Sequence, residues 1–181
     1  MTEILRTPRL VLREAVLSDA GFMLQLVNSP KWLAYIGDRG IRNPGDAENY
    51  ITGNLQRSYR ENGFGLYVIT LTSENQPAGI CGFLKREYLE FPDLGFALLP
   101  GFEGRGLARE AAQAALRYGR DARGFAEVLA ITKRENMQSR RLLSELGFAE
   151  TGTVRPEPGA EILLLYSSLP VSEGPKPGKT A

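Results

Sequence analysis

A glycine-rich turn between an apolar run and an alanine-rich helix gives the first indication of chemistry in this sequence. The stretch LGFALLPGFEGRGLAREAAQAALRYG, residues 94–119, predicts a strand that ends near Pro100 and a helix that begins near Gly106. The first turn of a helix leaves about four backbone N–H groups without partners and carries a partial positive charge. Because Gly104 and Gly106 have no Cβ, an anion can approach this helix start closely. The segment therefore predicts an anion-binding site.

Two common nucleotide-binding signatures do not fit this turn. The P-loop requires G-x-x-x-x-G-K-[ST], which the sequence lacks. The dinucleotide signature G-x-G-x-x-G, started at Gly104, would require a glycine where the chain has Arg109. A nucleotide-binding regulator is therefore disfavoured. Turns of this kind also occur without any ligand, so the glycines alone leave a purely structural role open.

The residue types exclude several kinds of catalysis. The 181 residues include no histidine and one cysteine, Cys81, which excludes a Ser-His-Asp or Cys-His nucleophile in its usual form. For the same reason no metal site is expected and no intrachain disulfide can form. Chemistry would have to use carboxylates, hydroxyls, water and backbone amides.

The overall charge and the N-terminal segment limit the kinds of partner and the compartment that the sequence favours. The 22 basic and 21 acidic side chains give a net charge of +1, which indicates neither a nucleic-acid partner nor a membrane surface. The first residues contain charges within their apolar run and do not resemble a signal peptide. Together with the single cysteine, this favours a reducing, cytoplasmic compartment.

The pattern of apolar residues predicts a mixed α/β domain over residues 1–169. The expected order is a strand over 9–14, two helices, three strands, a helix, a strand, a helix, and one or two strands. The second helix is predicted to begin at the N-cap Asn43 and to end near residue 61, whereas residues 28–46 are expected to form a loop or broken helix. The middle strands are expected to form an antiparallel meander. Residues 170–181, rich in Pro, Gly and charge, are expected to be a disordered tail.

Three segments resemble the GNAT superfamily of N-acetyltransferases. EGRGLA, residues 103–108, resembles the family's Q/R-x-x-G-x-G/A signature, and NMQSRRLLSELGF, residues 136–148, resembles N-x-x-[SA]-x-x-L-x-x-x-L-G-F. LRTPRLVLREAVLSDA, residues 5–20, resembles the start of the branch that contains the ribosomal-protein N-terminal (alanine/serine) acetyltransferases. The resemblance covers residues 5–168 and implies a GNAT-like fold, with a central, mostly antiparallel, splayed sheet flanked by helices.

The resemblance also implies a reaction and a co-substrate. An acetyl group would pass from acetyl-CoA directly to a primary amine, either a protein N-terminus or a small molecule. The pyrophosphate would lie on the glycine-rich turn, where Arg105 could add a charge, and the pantetheine arm would lie along a strand edge freed by the splay. The implied cofactor contacts are Phe96, Ala97, Leu98, Gly104, Arg105, Gly106, Leu107, Ala108 and Asn136. For Asn136, a helix N-cap is the alternative role.

Two positions depart from the family pattern. Glu103 stands where the family usually has Gln or Arg, and we expect this carboxylate to point to solvent, away from the pyrophosphate. Leu143 stands where many members carry the tyrosine that protonates the leaving thiolate. Ser139 is then the candidate acid, although a thiolate of pKa roughly 8–9 can also leave unassisted. A role as an ordinary surface residue stays open for Ser139.

The base and the acceptor are less well defined by the sequence. Asp93 is the candidate base, with Glu87 and Glu90 as alternatives, and burial would have to raise its pKa; a solvated strand end is equally compatible.

The acceptor wall is expected in the segment 28–46, with Trp32 and Tyr35 as its aromatic part and Asp38 as a carboxylate for an ammonium group, unless the aromatics are ordinary core residues. A protein N-terminus, an aminoglycoside, a polyamine and a small amino metabolite all remain open as acceptors. So do a monomer, a homodimer, and an acetyl-CoA-binding module without turnover.

Overall fold

The core of the protein is one eight-stranded sheet in the computed structural model, which describes residues 2–169. The strands are β1 (Glu3–Arg6), β2 (Leu10–Arg13), β3 (Leu66–Leu71), β4 (Pro77–Leu84), β5 (Asp93–Leu98), β6 (Leu129–Thr132), β7 (Ala149–Val154) and β8 (Leu163–Ser167). They lie in the order β1-β2-β3-β4-β5-β6-β8-β7, and only β5 and β6 are parallel neighbours. The predicted mixed fold with a mostly antiparallel sheet is confirmed.

Helices cover both faces of this sheet. They are α1 (Ala20–Val27), α2 (Pro30–Tyr35), α3 (Pro44–Tyr50), α4 (Arg57–Asn62), α5 (Leu107–Arg123) and α6 (Met137–Glu145), and a π-helical segment, Ile51–Gln56, joins α3 to α4. Residues of α1–α3 pack with Val68 and Ile80 in one apolar cluster. Residues of α5 and α6 pack with Phe83 and Leu94 in a second cluster on the opposite face.

Local sequence signals explain where the main helices begin and end. Asn43 caps α3 as predicted, because its Oδ1 accepts a hydrogen bond from the Asp46 backbone N–H at 3.0 Å. Pro44 then occupies the first helical position, where its missing N–H costs nothing. α5 ends at Gly124, whose φ of +68° is the left-handed conformation that glycine adopts without strain.

One element differs from the sequence prediction. Residues 28–46 form a broken helix as expected, because Pro30 follows Ser29 and starts the short helix α2, which buries Trp32. β1 precedes the predicted first strand and pairs with β2; it is short and half-exposed, so it carries no clear alternation of apolar residues. The predicted tail, 170–181, lies outside the described residues. No helix within residues 2–169 is long and apolar enough to cross a membrane.

Candidate active site

The strands β5 and β6 separate along their length and leave a cleft in the middle of the sheet. They share a single register pair, Asp93 with Leu129, and the Leu129 amide donates to the Pro92 carbonyl at 2.9 Å. Beyond that pair the strands diverge, as the predicted splay requires. A cavity of about 640 Å³ lies here, bounded by both strands, the turn before α5, the start of α6, and residues of α2 and α3.

Most residues predicted for the site line this one cavity. They are Trp32, Tyr35, Asp93, Phe96, Ala97, Leu98, Gly104, Gly106, Leu107, Ala108, Asn136 and Ser139. Arg105 and Asp38 do not line it. The guanidinium of Arg105 lies over the ring of Phe102, at 5.7 Å from its centroid. The structure therefore brings together residues from four separate parts of the chain.

β5 presents free backbone groups to the cleft. The Leu99 amide donates to the Ala78 carbonyl at 2.8 Å, and backbone groups of alternate residues in a strand point to the same side. Ala97 therefore bonds towards β4, whereas the N–H and C=O groups of Phe96 and Leu98 point towards β6. Because β6 has diverged, these groups form an open strand edge of the kind that pairs with an extended ligand.

The turn before α5 is an open cradle with free donors. Gly104 and Gly106 have φ values of +71° and +73°, and a Cβ added at Gly104 would meet nothing within 4 Å. At Gly106 the added Cβ would meet only Nη2 of Arg9, at 3.6 Å. Gly106 is the N-cap of α5, and no side chain caps the helix. Unpaired N–H groups, the helix dipole and open space together fit a phosphate group.

The N-terminal hairpin holds this turn in place, a contact that the sequence did not predict. Nη1 of Arg9 donates to the carbonyl of Arg105 at 3.0 Å. Arg9 is itself fixed by Glu110 in the first turn of α5, which accepts from its Nε at 2.6 Å and from its amide at 3.1 Å. Thr7 adds a hydroxyl donor to the same carboxylate at 2.6 Å. The backbone carbonyl of Arg105 thus has a hydrogen-bond partner outside the turn.

Glu103 does not point to solvent as expected. Its carboxylate lines the cavity and pairs with Lys31 of α2. Nζ of Lys31 also donates to Oε1 of Gln138 on α6 at 2.6 Å. The prediction was wrong because a cation from a distant helix, which spacing along the chain does not reveal, neutralises the carboxylate.

Asn136 and Ser139 form one unit at the start of α6. Oδ1 of Asn136 accepts from the Ser139 backbone N–H at 3.1 Å, so the capping role is observed, and both residues line the cavity. The cap fixes the backbone from which the Ser139 hydroxyl projects. Leu143, at the position of the family's tyrosine, is 1% exposed and forms an apolar wall.

Of the three carboxylates predicted as possible bases, only Asp93 lines the cavity. It is 1% exposed, and Nε of Arg86 donates to its Oδ1 at 3.0 Å and its Oδ2 at 3.1 Å. Burial raises the pKa of Asp93, and the charge and hydrogen bonds of Arg86 only partly oppose this. Glu87 and Glu90 are exposed and do not line the cavity.

The acceptor wall differs from the predicted one. Trp32 and Tyr35 line the cavity, although Trp32 is only 3% exposed and is also a core residue. Asp38 is exposed and pairs with Arg42 outside the cavity, Nη1 to Oδ1 at 3.0 Å, so it offers no carboxylate to an ammonium group there. The sequence analysis missed the lining residues Arg39, Tyr50 and Arg86.

Two further observations restrict the chemistry. Cys81 is fully buried in β4, and burial raises the pKa of its thiol to about 12, so it is not a nucleophile at neutral pH. Within residues 2–169, no group of three or more Cys, Asp or Glu side chains could hold a metal ion. Carboxylates, hydroxyls, cationic side chains and backbone amides line the cavity, and the buried carboxylate of Asp93 and the hydroxyl of Ser139 are the candidates for proton transfer.

The chain belongs to the GNAT acetyltransferases, because the model of the acetyltransferase (GNAT) domain matches residues 9–149. It is therefore an acyltransferase enzyme. The uncharacterized N-acetyltransferase p20 of Bacillus licheniformis is 28% identical over 156 residues, which cover 84% of this chain and 86% of that protein.

Solved structures share the fold. A putative GnaT-family acetyltransferase from Bordetella pertussis superimposes with a TM-score of 0.76 at 24% identity, covering 92% of this chain and 99% of that one. Mycobacterium smegmatis RimJ in complex with CoA-disulfide gives a TM-score of 0.74 at 20% identity, covering 87% and 80%.

Proposed function

We propose that this acetyltransferase moves an acetyl group from acetyl-CoA to a primary amine, a protein N-terminus or a small molecule, in the cleft between β5 and β6. One observation carries the proposal: the open edge of β5 leads directly to the uncapped start of α5 within one cavity. An extended arm that ends in a diphosphate has the shape and charge that this arrangement accommodates. The fold neighbour solved with CoA-disulfide supports the same ligand class.

The cofactor contacts follow from these positions. Backbone amides of residues 104–108 would hold the pyrophosphate, with Arg105 as a nearby cation. The N–H and C=O groups of Phe96 and Leu98 would pair with the pantetheine amides, while Ala97 contributes its methyl group to the wall. The Asn136 side chain, already at the cavity, would contact the same arm.

The chain's own groups would then manage the protons. The neutral amine attacks the thioester carbonyl carbon, a C–N bond forms, and the C–S bond breaks. A free backbone amide of β5 would polarise the carbonyl oxygen. The proton lost by the amine passes to Asp93 or to water, and the departing thiolate takes a proton from Ser139 or from water. An α-amino group with a pKa of about 8 needs less help than a lysine with a pKa of about 10.4.

The first experiment separates turnover from binding alone. Release of CoA thiol would be followed while amines and N-terminal peptides are added to enzyme and acetyl-CoA, with the products identified by mass spectrometry. The proposal predicts thiol release in proportion to acetylated amine. Cofactor binding without any acetylated product would leave a binding module, which the membership in an acetyltransferase family disfavours.

A matched pair of glycine variants tests the cradle. Acetyl-CoA should raise the free energy of unfolding by about 2.7 kcal/mol at a concentration of a hundred times its Kd, and the melting temperature should rise with it. Gly106→Val should abolish this stabilisation, because its side chain would fill the cradle. Gly124→Val at the other end of α5 has a similar φ of +68° and open space around it, so it imposes the same strain far from the cleft. Equal stabilisation of both variants by acetyl-CoA would exclude the cradle.

A further inference from the structure

Two arginines, one of them bonded to the candidate base Asp93, line the cavity. Arg86 follows β4 and Arg39 follows α2, and both line the cavity together with Tyr50 at the end of α3. Burial raises the pKa of Tyr50, and the charges of both guanidinium groups oppose that rise. Asp93 and Ala97 lie on the same face of β5, and Ala97 packs against the α1–α3 cluster. The candidate base therefore faces the side of the sheet that carries α1–α3, where Arg86 bonds to it.

The charges that line the cavity do not balance. The acidic lining residues are Asp93, Glu103 and Glu145, and each already has an ion-pair partner: Arg86 for the first, Lys31 for the second, and both Arg109 and Arg141 for the third. Arg39 also lines the cavity but forms no ion pair with any of residues 2–169. The exposed Arg39 is thus a cation of the cavity lining without a carboxylate partner among residues 2–169.

Arg86 retains donors for a ligand. Only Nε donates to Asp93, at 3.0 and 3.1 Å, so Nη1 and Nη2 are not engaged by that carboxylate; the guanidinium also lies 5.9 Å from the centroid of the Tyr88 ring. A guanidinium presents its N–H groups as a planar fork that matches a carboxylate. Arg86 can therefore orient Asp93 through one edge and bind a second carboxylate through another.

We infer that the acceptor is a primary amine whose own molecule carries a carboxylate close to the amino group, as in an amino acid. Arg39 and Arg86 bind the carboxylate, which places the amine beside Asp93. This inference rests on the proposed acetyl transfer and narrows its acceptor. A polyamine is disfavoured by the same charges, since it would bring further cations against the unpaired Arg39.

Matched acceptors test the inference directly. A panel of amino acids would be compared with their carboxamides at a pH above both amine pKa values, so that only the carboxylate differs. The acids should show at least about tenfold higher kcat/KM, the effect expected from one charge-assisted hydrogen bond. A second pair of acceptors consists of peptides whose first residue is either acidic or neutral. If only the acidic peptides were preferred over their neutral partners, the acceptor would be a protein N-terminus with an acidic first side chain. Equal values within each pair would overturn the inference.

Arginine variants separate a binding role from a structural one. Arg39→Gln should raise KM for the acids about tenfold and leave the carboxamides unchanged. The exposed Arg42→Gln, a neighbouring arginine that is paired with Asp38 outside the cavity, is the control and should change neither. A uniform loss on both acceptor types in Arg39→Gln would contradict the assignment.

A binding measurement keeps the inference testable apart from the transfer reaction. N-acetyl amino acids, as products, should raise the thermal stability of the CoA-saturated protein more than N-acetyl amino acid amides do, and Arg39→Gln should remove the difference. Absence of acetyl transfer with this difference intact would defeat the proposed function alone. Transfer to amines with no difference between acids and amides would defeat this inference alone.

Discussion

Asp93 and Ser139 reach the cavity from opposite sides of the gap between β5 and β6. Asp93 begins β5, and Ser139 lies in the first turn of α6, just after β6. In a chain without histidine, we propose that these two groups and water carry the protons of the acyl transfer. The raised pKa of the buried Asp93 makes this carboxylate a better base than an exposed one.

Ser139→Ala tests the acid at the residue scale. We expect kcat to fall by roughly tenfold to a hundredfold. This loss is at or below the roughly 10²-fold to 10⁴-fold contribution usual for a general acid, because a thiolate is a good leaving group even without a proton. The KM for acetyl-CoA should stay the same. Steady-state kinetics with the variant Cys81→Ala as a comparison would check this, since Cys81 is buried outside the cavity and should retain most activity. An unchanged kcat in Ser139→Ala would assign the proton to water.

Asn136→Ala separates helix capping from cofactor binding. Loss of the bond to the Ser139 amide should cost about 1 kcal/mol of the free energy of unfolding. Asn43→Ala removes an equivalent cap from α3, outside the cavity, and should cost a similar amount. Calorimetry should show weaker CoA binding only for Asn136→Ala; normal affinity in both variants would leave Asn136 as a cap alone.

At the scale of elements, the N-terminal hairpin and α5 act together to shape the cradle. Glu110 joins them by accepting from Thr7 and Arg9, and Arg9 continues to the carbonyl of Arg105. Burial would raise the pKa of Glu110, but these hydrogen bonds and the Arg9 charge outweigh it and lower the pKa. The ionised carboxylate therefore stabilises the folded protein.

Glu110→Gln should make the free energy of unfolding less dependent on pH in the acidic range. A carboxylate with a depressed folded pKa stabilises the protein above its unfolded pKa, about 4.3, and loses that contribution as pH falls through the folded value. The variant should be about 1 kcal/mol less stable at neutral pH, with the difference shrinking below about pH 4. Urea unfolding across this range would measure it, with the exposed Glu74→Gln as control. A difference independent of pH would show that the charge of Glu110 contributes nothing.

At the scale of the whole molecule, the sequence predicted the elements better than the contacts between them. The alternation of apolar residues, the cap at Asn43 and the glycines at 104 and 106 located β3–β5, α3 and α5, because each signal is local. The splay of β5 from β6 came from family resemblance. Neither source predicted that Lys31 reaches Glu103, because that contact joins distant parts of the chain.

The acceptor side shows the same limit. Asp38 follows Trp32 and Tyr35 closely in the sequence, but it forms an ion pair with Arg42, four residues further on, and does not line the cavity. Arg39 and Arg86 carry no local signal, because nothing in their spacing shows that the residues after α2 and after β4 line the same cavity as Asp93. Residues that reach the cavity only through the tertiary fold could be identified only from the structure.

The destination of the acetyl group tests the central claim most directly. Enzyme, isotopically labelled acetyl-CoA and a panel of amines would be mixed, and the label located by mass spectrometry on intact protein and on small molecules. We predict that label passes to an amine while the protein stays unlabelled, and that Gly106→Val, unlike Gly124→Val, abolishes the transfer. Stoichiometric label on Cys81 that passes on to an amine would contradict direct transfer, and label remaining on CoA with every amine would contradict the proposed reaction.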